Sequence, residues 1–314
     1  MQESKKDTAY QISLAGFLIT ILGAVFFSTK AIFVKLAFHA TGIDAVTLLT
    51  LRMLFSLPFY LVAAWLGSKK ESAISLEKKQ WFFLILLGIF GYYLSSLFDF
   101  IGLQYVSAGL ERLILFLYPT FSVLINTYLY KSKLNSMQLI ALVLTYMGIG
   151  IAYLGEMKID TSNPNFYFGS FMIFLCAITY SFYLVGTGRM IPKVGVTRYT
   201  AYAMLAATVG IFIHFMVSKK VEDIPFTHTL IGYSIALALI ATVLPSFMMS
   251  TGMKMIGSNN VSIITSIGPV STIIQAHFFL AEHITIYQII GTMLVIIGVL
   301  LIGWQSKNKS AEIA

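Results

Sequence analysis

Apolar stretches of membrane-spanning length recur along nearly the whole chain, separated by short polar links. They cover 13–38, 44–66, 80–101, 105–129, 136–155, 166–189, 196–217, 229–253, 258–280 and 284–304. A helix needs about 20 mostly apolar residues to cross the hydrocarbon of a bilayer. Short links place consecutive helices side by side and antiparallel. The pattern therefore predicts an all-α integral membrane protein with ten transmembrane helices. The remainder is too small for a soluble domain: a tail over 1–12, a link over 156–165 and a second tail over 305–314.

Composition strengthens this reading. Of 314 residues, 58% are hydrophobic and 11% charged, and mean hydropathy is +0.84. A soluble domain carries roughly 25% charge, so the expected surroundings are a lipid bilayer. The net charge of +8 would suit nucleic acid if it were clustered. The basic residues are instead scattered between the apolar runs, so no nucleic-acid partner is expected, and their distribution reads as a topology signal. With the N-terminus inside, the cytoplasmic side holds Lys5, Lys6, Lys69, Lys70, Lys78, Lys79, Lys131, Lys133, Arg189, Lys193, Arg198, Lys254, Lys307 and Lys309, against Lys158, Lys219 and Lys220 outside. Both termini are thus expected in the cytoplasm, on a multi-pass protein of the cell inner membrane. The first run is too long for a secretory h-region and lacks a small-residue cleavage site, so it reads as a retained anchor. A single cysteine, Cys176, excludes an internal disulfide, and no cysteine cluster points to a metal. No cofactor is expected.

The chain also repeats itself. A shift of 150 residues carries Leu94, Ser96, Gly102, Pro119, Gln138 and Gly148 onto Leu244, Ser246, Gly252, Pro269, Gln288 and Gly298. A shift of 153 carries Gly16, Ala24 and Ser28 onto Gly169, Ala177 and Ser181. Apolar coincidences mean little in a membrane protein; coincident Pro, Gln and Gly mean more. Two units follow, 13–155 and 166–304, each of five helices. An odd number turns the second unit upside down relative to the first, and inverted repeats underlie alternating access.

Four segments carry a family resemblance: FFSTKAIFVKLAF (26–38), LLTLRMLFSLPFYL (48–61), VSAGLERLILFLYPTFSVL (106–124) and GSNNVSIITSIGPVSTIIQAHFFLAE (257–282). With them, the chain resembles the drug/metabolite transporter superfamily, in particular its EamA-type members, over about 13–304. The resemblance implies a ten-helix bundle of two inverted five-helix repeats around a central cavity, moving small organic solutes, often outward. Pro119 and Pro269, each late in a helix after small residues, resemble the family's repeated signature, as does the acidic Glu282. The first unit departs from it, with Lys131 and Ser132 where the second has Ala281 and Glu282.

Six ionisable residues fall within or near the ends of the predicted spans, all in the first unit: Lys30, Lys35, Arg52, Asp99, Glu111 and Arg112. Each costs roughly 2.5–3.5 kcal/mol to insert at the bilayer centre, so together they demand partners, water or a function. Their depths coincide in the outer half of the bundle. Their excess of cations fits an anionic or zwitterionic solute, with Arg52 or Arg112 engaging a carboxylate or phosphate through a planar fork of donors. Against this, Lys35 and Asp99 could simply snorkel to the interface, and Arg52 and Glu111 could form a structural ion pair. Glu111 and Asp99 are the candidates for proton coupling. The second unit puts Tyr183, Val261 and Ser262 where the first has Lys30, Glu111 and Arg112, so its wall should be neutral; Tyr180, Ser262 and Thr265 are candidate substrate contacts there.

Pro119 and Pro269 each remove a backbone donor and are candidate hinges, or fixed kinks. His214 and His277 read as packing residues. No G-x-x-x-x-G-K-[ST], H-E-x-x-H or G-x-S-x-G pattern occurs, so the expected function is not enzymatic. It is secondary active transport of a small organic metabolite, such as an amino acid or related compound, with export as the expected direction, by a monomer or homodimer. The alternative is a channel or a non-transporting membrane scaffold.

Overall fold

A computed structural model describes residues 14–70, 76–130, 136–159, 163–256 and 264–298. Their regular structure is helical throughout. In chain order the helices are α1 (Leu14–Thr41), α2 (Ala45–Lys70), α3 (Lys78–Leu103), α4 (Ala108–Leu115), α5 (Tyr118–Tyr130), α6 (Ser136–Ile159), α7 (Phe166–Val194), α8 (Val196–Ser218), α9 (228–256), α10 (Gly268–Leu280) and α11 (Ile286–Gly298). Six stretches are long and apolar enough to cross a membrane: 14–41, 45–67, 78–103, 166–191, 196–218 and 228–249. Large apolar side chains point outward along them, among them Leu22, Leu61, Phe82, Phe171, Ile213 and Val217. An outer surface of this kind is solvated by lipid. Several hydroxyls inside such helices are satisfied locally: Thr20, Ser28, Ser56, Ser170 and Thr208 each donate a side-chain hydroxyl to the carbonyl four residues back.

Three irregularities interrupt the helices. The span expected at 105–129 is broken at Phe116 and Leu117, just before Pro119, into α4 and α5. Proline cannot donate to the preceding turn, which makes it a natural start for a new segment. A tight 3-10 turn at Thr265–Ile267 precedes Pro269 in the same way. In contrast, α2 runs through Pro58 without a break. The third irregularity has a proline signal in only one of its two copies: wide π turns occupy Ile89–Leu94 within α3 and, just before Pro245, whose missing N–H leaves the Ala241 carbonyl without its helical donor, Leu239–Val243 within α9. Ser95 donates to the Gly91 carbonyl, and Thr242 Oγ1 donates to the Leu237 carbonyl at 2.9 Å. Breaks and π turns alike recur at the 150-residue spacing seen in the sequence.

Packing joins the N-terminal helices to the C-terminal ones. Helix α1 lies on α9 and α10; α7 lies on α3, α4 and α5; α2 lies on α8. The first π turn packs on α7 and α8, the second on α1 and α2. Two hydrogen bonds are related in the same crossed way. Ser28 Oγ donates to the Gly268 carbonyl (3.2 Å), and Ser181 Oγ donates to the Tyr118 carbonyl (2.9 Å). Each accepting residue immediately precedes a candidate hinge proline. Helices α6 and α11 meet through Gly148 and Gly291, where a Cβ on either would strike the other's backbone. Small residues allow this approach. The fifth and tenth runs therefore pack on each other at this crossing.

At the start of α2, Asp44 accepts from the backbone N–H of Val46 (3.0 Å) and Thr47 (3.2 Å) and pairs with Lys219 Nζ (3.3 Å). Partial burial pushes its carboxyl up, but hydrogen bonds from Thr47 and the Lys219 charge outweigh this and hold it below the ordinary carboxylate value.

Candidate functional site

Helices α1, α3 and α4 bring three of the sequence candidates together. Lys30 Nζ lies 2.8 Å from Asp99 Oδ2 and 3.8 Å from Glu111 Oε1. Both acids are 0% exposed. Apart from Lys30 and each other, their carboxylate oxygens have no hydrogen-bond partner among the described residues. The arrangement depends on one ammonium group. Asp99 therefore does not snorkel, and Glu111 pairs with Lys30 instead of Arg52.

The short helix α4 fixes Glu111 in place. Ser107 Oγ accepts from the Leu110 N–H at 3.0 Å and caps its start. A second cap comes from the far end of the chain: Glu282 Oε1 accepts from the Ala108 N–H (2.9 Å) and Oε2 from the Gly109 N–H (3.3 Å). A carboxylate suits the positive end of a helix. Gly109 admits the Gln288 side chain, which a Cβ would obstruct at 2.9 Å. Glu282 follows Ala281, whose left-handed backbone (φ 55°) ends α10. Its role could not be inferred for the first unit from sequence, where Ser132 stands in its place.

The two arginines part company. Arg112 follows Glu111 and lays its guanidinium against Gly268; a Cβ there would be 2.5 Å from Nη2. Arg52 is 4% exposed. It stands over the Phe100 ring at 5.3 Å and reaches Ser96 Oγ at 3.5 Å. The candidates on the second wall also separate. Tyr180 stacks on Tyr183 (5.7 Å) and meets the Tyr118 ring edge-on (5.2 Å). Thr265 bonds the Tyr118 side chain. Ser262 lies outside the described residues. Pro119 and Pro269 open α5 and α10.

Sequence reasoning missed two neighbours of this site, Cys176 and Tyr60, whereas Tyr92 stands among the aromatics of the apolar runs that could line a cavity. Cys176 is buried and shares the electrostatic surroundings of Asp99, Lys30, Glu111 and Arg112. Tyr60 OH meets Ser246 Oγ at 3.0 Å, and Tyr92 OH meets Tyr183 OH at 2.8 Å. Ser246 was legible as a hydroxyl of the second unit and as the match of Ser96. His214 packs as expected, bonded to Tyr93 OH through Nδ1 at 2.9 Å. A recess of about 420 Å³, lined by Asp44 and Lys219 among others and open to the surface, contains none of the candidate site residues.

The two halves of the chain answer to one family. The EamA-like transporter family matches residues 14–154 and, a second time, residues 167–304. The chain belongs to the EamA-like transporter family. With its apolar helices, membership makes it a multi-pass membrane transporter. Among similar proteins is the uncharacterized transporter YcbK of Bacillus subtilis strain 168, 30% identical over 294 residues, 92% of each chain. The uncharacterized transporter YyaM of the same strain is 27% identical over 236 residues, 74% of this chain and 75% of that protein. An uncharacterized transporter of Archaeoglobus fulgidus is 22% identical over 292 residues, 90% of this chain and 96% of that protein. A solved crystal structure shares the family fold, with a TM-score of 0.65 at 17% identity over 91% of this chain and 95% of that chain.

Proposed function

We propose that this transporter is a secondary active carrier of a small anionic or zwitterionic metabolite, such as an amino acid, working by alternating access and exporting its solute. The observation that carries the reading is the Lys30–Asp99–Glu111 cluster. Charge kept at this depth is costly unless it has a task. Two carboxylates share one ammonium at close range, with the Arg112 charge beside Glu111 but outside ion-pair distance, so either acid is placed to exchange a proton. That proton, on Glu111 or Asp99, is the proposed coupling ion. Lys30, Arg52, Glu111, Arg112, Tyr180, Ser262 and Thr265 form the proposed substrate wall, and Pro119 and Pro269 the hinges. Ten spans in two oppositely oriented units, 13–155 and 166–304, with both ends in the cytoplasm of an inner membrane, complete the reading. The recurrence of breaks and π turns at a spacing of 150 residues, and of the crossed serine bonds from Ser28 and Ser181 at 153, supports it. The chain would work as a monomer or homodimer.

The test is Lys30→Met in liposomes with an entrapped pH indicator, challenged with a panel of amino acids and organic acids. Wild-type protein should couple solute entry to proton movement and show counterflow, which a channel or scaffold does not. Removing one partner of a buried ion pair costs about 3–5 kcal/mol, so Lys30→Met should also be less stable. The double variant Lys30→Met with Asp99→Asn restores neutrality; it should fold near wild-type levels yet remain inactive. Wild-type transport by either variant would refute the reading.

A further inference from the structure

Arg52 is a buried cation whose bonding is incomplete. Among the described residues neither Nε nor Nη1 has a hydrogen-bond partner. Its Nη2 reaches Ser96 Oγ only at 3.5 Å, and no ion pair joins it to Asp99, which Lys30 already holds. A guanidinium left this way inside a protein is strongly unfavourable, and its aromatic neighbour Phe100 compensates only in part.

Its surroundings are organised around the two π turns. Ser96 follows the first, Ile89–Leu94, and Ser246 follows the second, Leu239–Val243. Helix α2 reaches both serines, with Arg52 at one and Tyr60 at the other. The two serines are 150 positions apart in the chain, one in each family-matching half. Ser246 Oγ already donates to the Val243 carbonyl at 2.8 Å, so in the Tyr60–Ser246 bond the tyrosine is the donor. Rotation about its C–O bond would turn that proton toward a ligand. π turns frequently mark functional sites.

We propose that Arg52, with Ser96, Tyr60 and Ser246, is the carboxylate subsite of the transported solute. The proposal rests on the transport reading and narrows its solute class. The Asp99 charge reaches Arg52 without an ion pair, and a carboxylate would supply the acceptors that its Nε and Nη1 lack. A flat carboxylate also suits the planar guanidinium. Arg112 is not equivalent, because its guanidinium is packed against the backbone at Gly268.

The experiment is thermal unfolding of the purified protein in nanodiscs with acetate, benzoate, glycine, phosphate or methylammonium at constant ionic strength. Acetate, benzoate or glycine should raise the wild-type midpoint by about 2 °C, while methylammonium leaves it unchanged. Arg52→Gln should lose the rise while its ligand-free midpoint stays at or above wild type, because an unpaired charge has gone. Arg52→Lys keeps the charge without the fork, and its half-maximal concentration should increase about tenfold. A rise that persists in Arg52→Gln overturns the subsite, as does a wild-type protein that ignores all three carboxylates. Equal rises with phosphate or methylammonium overturn it too. Failure of the two readings is separable. Transport that survives Arg52→Gln removes the subsite and leaves the carrier. Arg52-dependent carboxylate binding by a protein without counterflow retains the subsite and removes the carrier.

Discussion

Lys30 and Tyr183 occupy corresponding positions, 153 residues apart, and meet different surroundings. Lys30 reaches two acids. Tyr183 instead seats its ring on Gly91, in the first π turn, and bonds Tyr92. A Cβ on Gly91 would fall within that ring. Gly91→Ala should therefore destabilise the protein by about 1–3 kcal/mol through overpacking, read as a lower unfolding midpoint; an unchanged midpoint would mean that Tyr183 moves aside freely. The sequence showed which charges are buried, because any ionisable residue stands out in an apolar run. It did not show their pairing. Helices apolar on every face carry no periodic signal for rotation, so the facing of Lys30 toward Asp99, and of Arg52 away from Glu111, became visible only with the helices assembled.

Helix breaks followed a similar division. Those before Pro119 and Pro269 were legible, since proline withholds a donor. The first π turn was not, because Ile89–Leu94 contains no residue that forbids an ordinary helix and no proline follows it; at the second, Leu239–Val243, Pro245 signalled a local bend without showing its form. The cap on α4 was hidden for another reason: Glu282 lies more than 170 positions from Ala108, beyond any local capping pattern. Glu282→Ala should free two backbone donors and cost about 1–2 kcal/mol, measured by thermal unfolding, whereas Glu282→Gln, which retains one acceptor oxygen, should cost less. Equal stability of all three proteins would show that the cap contributes nothing.

At the scale of the molecule, the halves are interlocked rather than set side by side. The crossed bonds Ser28 to Gly268 and Ser181 to Tyr118 join each half to the residue before the other's proline. Each serine also bonds its own helix, so Ser28→Ala and Ser181→Ala should each cost only about 0.5–1.5 kcal/mol. The two losses should be similar and additive to within about 0.5 kcal/mol in the double variant; a large loss from one site alone would argue against corresponding roles. The count of apolar runs and their repetition could be read from the residues, since both depend on lengths and spacings along the chain. Which helix lies on which could not, because nothing local encodes that α1 rests on α9 and α10.

The buried sulfhydryl of Cys176 has a practical consequence. It is the chain's only thiol and sits beside the four charged groups at the centre of the site. Under the proposed alternating access, a water-soluble alkylating reagent reaches it by the route of the solute. The rate of its modification, followed separately from each face of the membrane, should then report how often the proposed opening exposes it, with no engineered label required.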